Sequence, residues 1–289
     1  MFFFIIFVSN FVHASKRDTL HAGGAWAYVE NLGQWDNHIL FKARMHDGAL
    51  FFEKNGYSVV VQDRKAIDKL VESKLDYKVR LGPPADNAVN CHAYKVHFEN
   101  ANDNPQIITY YPSSDYRNYY VGDDPNRWKS FVRAYSKVKY KNLYEGIDYV
   151  IYSDENQFKY DLIVEPSAKV SDIQMRYDGL DKISLSKGNL HLRTSINTIV
   201  ELKPYAYQLI NGLEKEVECN FVLNKNIVGF ECPNYNSSFP LIIDPVMIFS
   251  TYTGSTSDNW GYTATYDKFG FFYSGGCSFG VGYPVTTGA

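Results

Sequence analysis

The sequence predicts an all-β protein, an antiparallel β-sandwich-like domain with one short helix. Three observations carry that expectation. Aromatic residues make up 16% of the 289 residues, with 24 tyrosines and 19 phenylalanines, and such side chains suit a pleated, half-buried surface. From Cys91 to Asp244, short apolar or alternating runs recur at near-regular spacing between turn residues. Only one segment has convincing helical spacing: Ile67, Leu70, Val71 and Leu75 follow Asp63, a residue suited to cap a helix.

Taken in order, residues 1–14, "MFFFIIFVSNFVHA", read as a signal peptide cleaved after Ala14, although no Lys or Arg precedes the apolar run. That run is shorter than the ~20 residues a membrane-spanning helix needs, and no other window approaches that length. A polar tail over residues 15–24 leads into a β domain over residues 25–245. In "ALFFEKNGYSVVVQ", Asn55-Gly56 suits a type I′ hairpin turn, which sets Phe52 opposite Val59 and Leu50 opposite Val61. "HAYKVHF" and "QIITYY" follow as strands, and "VGDDPNRWKS" as a polar connection. Residues 147–152 and 158–164 flank an Asp-Glu-Asn turn. Further strands are expected at "DIQMRYDG", "KISL", "LHLR", "NTIVELK", "YAYQLI", "KEVECNFVL", "IVGFEC" and "PLIID".

The stretch "VECNFVLNKNIVGFEC" sets its own register. A two-residue turn at Lys225-Asn226 puts Leu223 opposite Val228, Phe221 opposite Phe230 and Cys219 opposite Cys232, all on one face. Non-hydrogen-bonded pairs bring Cα atoms to ~4.5 Å, near the short end of the ~4.4–6.8 Å that a disulfide spans. Export would favour a Cys219–Cys232 bridge, worth on the order of 3 kcal/mol in the chain-entropy view. The alternative is two reduced cysteines packed as small apolar residues. Cys91 and Cys277 complete the four cysteines.

A net charge of −3 argues against general nucleic-acid binding, which needs a basic face. The seven histidines contain no zincin pair, and Cys91, His92 and His97 lack metal-ligand spacing, so no metal and no cofactor are expected. No Gly-x-Ser-x-Gly elbow or phosphate loop appears, and no catalytic residue is assigned. Asp148, Asp154, Glu155 and Asp161 lie on or beside one hairpin, where solvated turn charges are commoner than a glycosidase pair. The tyrosines of "YKNLYEGIDYVIYSDENQFKY" fit either a sugar-stacking platform or cross-strand pairs inside a sheet. Asp123, Asp124 and Asp258 could supply oxygens to Ca²⁺ or cap turns.

Composition shifts at Asp244-Pro245, beyond which Gly, Ser, Thr and aromatics replace Lys and Glu. The tail "FSTYTGSTSDNWGY…YDKFGFFYSGG…GYPVTTGA" resembles the first unit of SBBP repeats, the β-propeller repeats of large bacterial surface proteins. On this resemblance residues 246–289 are the first, incomplete propeller-type repeat. Such a unit packs on its neighbours, so further blades are expected downstream in the same polypeptide, of which this chain would be an N-terminal fragment. Upstream, "ENLGQW", "NYYVGDDPNRW", "NLYEGIDYVIYSDENQFKYDLIVEP", "KPYAYQ" and "PLIIDP" resemble an uncharacterised β domain that precedes such repeats. The resemblance implies export to the cell surface or medium, often with a gliding-motility-associated C-terminal sorting domain. It assigns no chemistry. The expected role is a non-enzymatic structural or binding module, adhesion- or gliding-related, meeting surface glycans or proteins. The alternative is a carbohydrate-binding or carbohydrate-active domain with an aromatic cleft.

Overall fold

The computed structural model describes residues 27–45, 47–75, 88–154, 157–248, 258–266 and 272–279. The signal-peptide segment and the turn residues Glu155 and Asn156 lie outside them. The chain divides into two compact units, Met1–Ile248 and Phe249–Ala289.

The first unit contains β1 (Tyr28–Glu30), β2 (Phe41–Met45), β3 (Gly48–Phe52), β4 (Gly56–Gln62), helix α1 (Arg64–Leu75), β5 (Cys91–Phe98), β6 (Gln106–Pro112) and β7 (Arg117–Tyr119). It continues through β8 (Lys129–Val132), β9 (Ala134–Tyr144), β10 (Ile147–Asp154), β11 (Gln157–Val164), β12 (Met175–Asp178), β13 (Lys182–Ser186), β14 (Asn189–Arg193) and β15 (Thr198–Glu201). It ends with β16 (Tyr205–Ile210), β17 (Leu213–Val217), β18 (Asn220–Asn224), β19 (Ile227–Glu231), β20 (Leu241–Asp244) and β21 (Met247–Ile248). In the second unit β22 (Asp258–Tyr266) pairs antiparallel with β23 (Phe272–Phe279). The division falls a little beyond Pro245 because β21 pairs with β15 and Val246 bridges to Lys159.

One antiparallel sheet dominates. Its order is β17-β16-β20-β11-β10-β9-β1-β2-β3-β4-β5-β12-β19-β18, with β6 added on β9. The sheet branches at β9, an 11-residue strand whose start carries β1 and whose remainder carries β6. The two arms then fold face to face. Phe158 on β11 lies 5.9 Å from Phe52 on β3 and 6.4 Å from Tyr57 on β4, and Phe98 on β5 lies 5.0 Å from Tyr149 on β10. This is a sandwich-like, all-β architecture, as the alternating runs predict. A smaller sheet, β13-β14-β15-β21, presents Glu201 to the same interior.

The hairpin at residues 50–61 corrects its expected register. Phe52 stands opposite Tyr57, and Leu50 opposite Val59. The turn residues are Lys54 and Asn55, closed by a 2.9 Å bond from Glu53 N to Gly56 O. Gly56 is needed for a close approach, since a Cβ there would lie 2.2 Å from the carbonyl oxygen of Val96 on β5. The shift keeps Leu50, Phe52, Val59 and Val61 on one face and adds Tyr57 to the core beside Phe52. Helix α1 starts as expected, with Asp63 Oδ1 accepting Ala66 N at 3.2 Å.

The β18–β19 hairpin has the predicted register, Leu223 opposite Val228 and Phe221 opposite Phe230. Its turn is fixed from outside. Asn226 Nδ2 donates to Tyr177 O at 3.0 Å and Asp178 Oδ1 at 3.1 Å, while Lys225 takes φ 56°. "KEVECNFVL" is two strands, since β17 and β18 are opposite ends of the large sheet joined only by Glu218 and Cys219. Cys219, in that two-residue link, and Cys232, directly after β19, are both buried. Both are free thiols in this structure. The Cys232 thiol, with burial, pushes the Cys219 thiol well up, so it stays protonated at neutral pH. If the chain is exported and oxidised, thiol titration of the unfolded, unreduced protein is expected to find two free thiols. Four would assign the pair a purely packing role.

Candidate functional site

The site begins with the alternation of β1. Tyr28 turns into the main core, and its hydroxyl donates to Tyr152 O at 2.8 Å. Strand geometry therefore sends Ala27 and Val29 to the opposite face. There Val29, Val132 and Ala134 form a small separate apolar cluster, covered at its sides by Ala27, Trp35 and Tyr119.

Two irregular segments build the walls. In residues 30–35, "ENLGQW", the Asn31 side chain organises the loop. Its Oδ1 accepts Gly33 N at 2.9 Å and Trp35 N at 3.2 Å, and its Nδ2 donates to Asp36 O at 2.9 Å and Ile39 O at 2.8 Å. Gln34 Nε2 closes the turn onto Glu30 O at 2.6 Å. Gly33 has φ 109°, and a Cβ there would lie 3.0 Å from Lys129 Cε, so both backbone and space favour glycine. The result fixes Trp35 at the groove edge.

The second segment, "NYYVGDDPNRW", forms the connection between β7 and β8. Asp124 Oδ1 accepts Asn126 N at 3.0 Å and starts a 3₁₀ turn over Pro125–Arg127. Trp128 Nε1 donates to Gly122 O at 3.1 Å, and Asn118 Oδ1 accepts Phe131 N at 3.1 Å. This arm holds Arg117, Asn118 and Tyr119 against the outer face of β1. The Trp35 and Tyr119 rings meet edge to face at 5.4 Å.

Between the walls lies an open groove of about 730 Å³, lined by Val29, Trp35, Lys42, Arg44, Arg117 and Tyr119, with Ala27 and Asn118. Lys42 and Arg44 occupy the outward positions of β2, while Phe41, Ala43 and Met45 point into the core. Lys42 Nζ sits 5.4 Å over the Trp35 ring and 5.0 Å over that of Phe51. Burial and, after it, the neighbouring Arg44 charge lower the Lys42 pKa. Among the described residues no carboxylate pairs with Lys42, Arg44 or Arg117. Glu30, the acid next to Val29 on β1, stands opposite Phe41 and is engaged by Arg133 N at 2.9 Å and the Tyr135 hydroxyl at 3.2 Å. The site is an apolar floor under a rim of three cations that meet no carboxylate among the described residues.

The residues singled out from sequence go elsewhere. Tyr140, Tyr144, Tyr149, Tyr152 and Tyr160 are buried and pack into the sheets, so they form no stacking platform. Asp148 Oδ1 accepts Asn142 N at 2.7 Å at a bulge of β9 and pairs with Lys139, whereas Asp161 accepts the Tyr152 hydroxyl at 2.9 Å. Neither faces an open cleft as a hydrolytic pair. The side chains of Asp154 and Asp258, and all of Glu155, lie outside the described residues. Asp124 caps its turn.

His92 Nδ1 lies 3.0 Å from Ser195 Oγ, but Nδ1 also accepts Ser195 N at 3.1 Å, and Nε2 is 2.7 Å from Gly179 O, not a carboxylate. That arrangement is a strut tying β5 to neighbouring turns and lacks the orienting acid of a triad. His97 lies 3.7 Å from Asp178, and Cys91 bonds to Val89 O. Among the described residues no group of three or more His, Cys, Asp or Glu side chains is placed to hold a metal, and no helix is long and apolar enough to cross a membrane.

Residues 28–246 match the family described as Domain of unknown function (DUF7948), which spans this all-β unit together with both walls of the groove, and the chain belongs to that family. No curated protein and no solved structure matches it.

Proposed function

We propose that this domain is a non-catalytic binding module of an exported, multidomain surface protein, and that the groove over β1 and β2 is its ligand site. The observation that carries the reading is the groove itself, with aromatic walls, an apolar floor and three cations that meet no carboxylate among the described residues, while Asp124 is tied into its turn, Asp148 into a bulge and Asp161 to a tyrosine hydroxyl. Concave sites that set apolar surface beside convergent polar groups are where ligands bind. Export rests on the apolar residues 1–14, and the surface setting on the resemblance of the tail to propeller-type repeats, whose further blades would be partners within the same polypeptide. Surface glycans or proteins are the external partners.

The test is a binding and turnover screen of the full chain on a panel of soluble oligosaccharides, beside a Trp35→Ala/Tyr119→Ala variant. The expected result is a ligand bound by the native chain, lost in the variant and recovered chemically intact. Shortened oligosaccharides would establish a hydrolase, and binding unchanged in the variant would remove the groove from the function.

A further inference from the structure

We propose that the groove selects an acidic saccharide, seating a uronate carboxylate or sulfate ester among Lys42, Arg44 and Arg117 and laying the sugar ring along Trp35 and Tyr119. This rests on the groove being the binding site. Three cations from two sheets converge on one concavity, and among the described residues none has an ion-pairing carboxylate. Like charges held together cost energy that an arriving anion removes. The Lys42 pKa is lowered first by burial and then by the Arg44 charge beside it.

Arginine makes the choice more specific, because its planar fork matches two oxygens of a carboxylate or sulfate at once. Asn118 on the same wall adds an amide, although its Oδ1 is already committed to Phe131 N, so its Nδ2 is the group left for a ligand hydroxyl.

The carrier of the anion follows from the rest of the lining. A free inorganic anion would gain nothing from Val29, Trp35 and Tyr119, whereas a pyranose ring has an apolar face to lay on them. An acidic peptide seeks backbone partners at an open strand edge. At this groove β1 is paired on both sides, with β2 and β9, and β2 with β1 and β3. The groove therefore favours a ligand read by side chains.

Calorimetric titration of the full chain with trigalacturonate, a sulfated trisaccharide, a neutral trisaccharide of equal length and a short oligoglutamate tests this. An acidic trisaccharide is expected to bind at least about tenfold more tightly than the neutral one, the affinity falling as salt rises. Arg117→Ala and Arg44→Ala are each expected to weaken acidic binding by about tenfold while leaving the melting curve unchanged. Arg117→Lys, which keeps the charge and loses the fork, is expected to fall between. Equal affinity for the neutral sugar would overturn the acidic selection yet keep the groove as a sugar site. Oligoglutamate binding as tightly as the acidic sugar would overturn the saccharide assignment. Absence of binding by every trisaccharide would overturn the proposal, leaving the binding-module reading to the wider panel and the aromatic double variant.

Discussion

Phe158→Ala is expected to destabilise the protein by about 3–5 kcal/mol, the usual cost of emptying a large aromatic site in a core. Phe158 is fully buried on β11. Its ring reaches Phe52 on β3 at 5.9 Å, Tyr57 on β4 at 6.4 Å and Tyr160 on its own strand at 6.0 Å. These contacts join the two arms of the large sheet, so the cavity opens where the arms meet and neither can close it alone. Urea denaturation should show the loss as a lower midpoint with an unchanged slope. A loss under about 1 kcal/mol would mean that the arms are held together elsewhere.

Glu201→Gln is expected to remove a pH dependence. Glu201 is 0% exposed, and its two oxygens accept the hydroxyls of Tyr160 and Tyr177, each at 3.1 Å. Burial raises its pKa to about 7 against a value of 4.5 outside the fold, and the two tyrosine hydrogen bonds pull it part of the way back. The native state therefore holds a proton that the unfolded chain has lost. The contribution of Glu201 to stability is full below about pH 4.5 and falls as pH rises through about 7. The difference amounts to about 3 kcal/mol. The glutamine side chain would keep a carbonyl acceptor and carry no charge to desolvate. Wild type and variant should approach each other near pH 4.5 and diverge in the variant's favour towards pH 8. Parallel curves over that range would place the ionisation elsewhere. Glu201→Leu, which leaves both tyrosine hydroxyls without an acceptor, is expected to be less stable than Glu201→Gln throughout.

The fold was more legible in the sequence than the site, for physical reasons. Alternation and turn residues act over a few positions, so the β18–β19 register and the start of α1 could be read locally. The hairpin before α1 was misread by two positions because Gly56 answers to the backbone of Val96, 40 positions later and invisible to a local turn rule. The aromatic-rich stretch 140–160 pointed to cross-strand pairing inside a sheet but left a surface platform open, since both use the same residues. Only the opposing arm, with Phe52, Tyr57 and Phe98, decides for the core.

The groove was missed because it depends on two segments far apart in the chain, which bring Trp35 and Tyr119 together across 84 positions. Each carried a readable local signal. Asn31, Gly33 and Gln34 form a tight hydrogen-bonded loop, and Asp124-Pro125 starts a capped turn. What sequence does not supply is that both loops land on the outer face of β1, and that Lys42 and Arg44 on β2 point the same way. Nor could it show that these charges meet no carboxylate among the described residues, which turns an ordinary polar strand face into a candidate site.

The most direct measurement is an NMR titration of the full chain with trigalacturonate, following the indole N–H signals of tryptophan and the side-chain Nε–H signals of arginine. The account predicts that Trp35, Arg44 and Arg117 shift together along one saturating curve. Trp128, whose indole is held by Gly122 O, should stay in place. Shifts centred on Trp128, or saturable binding that leaves Trp35, Arg44 and Arg117 unmoved, would contradict the account.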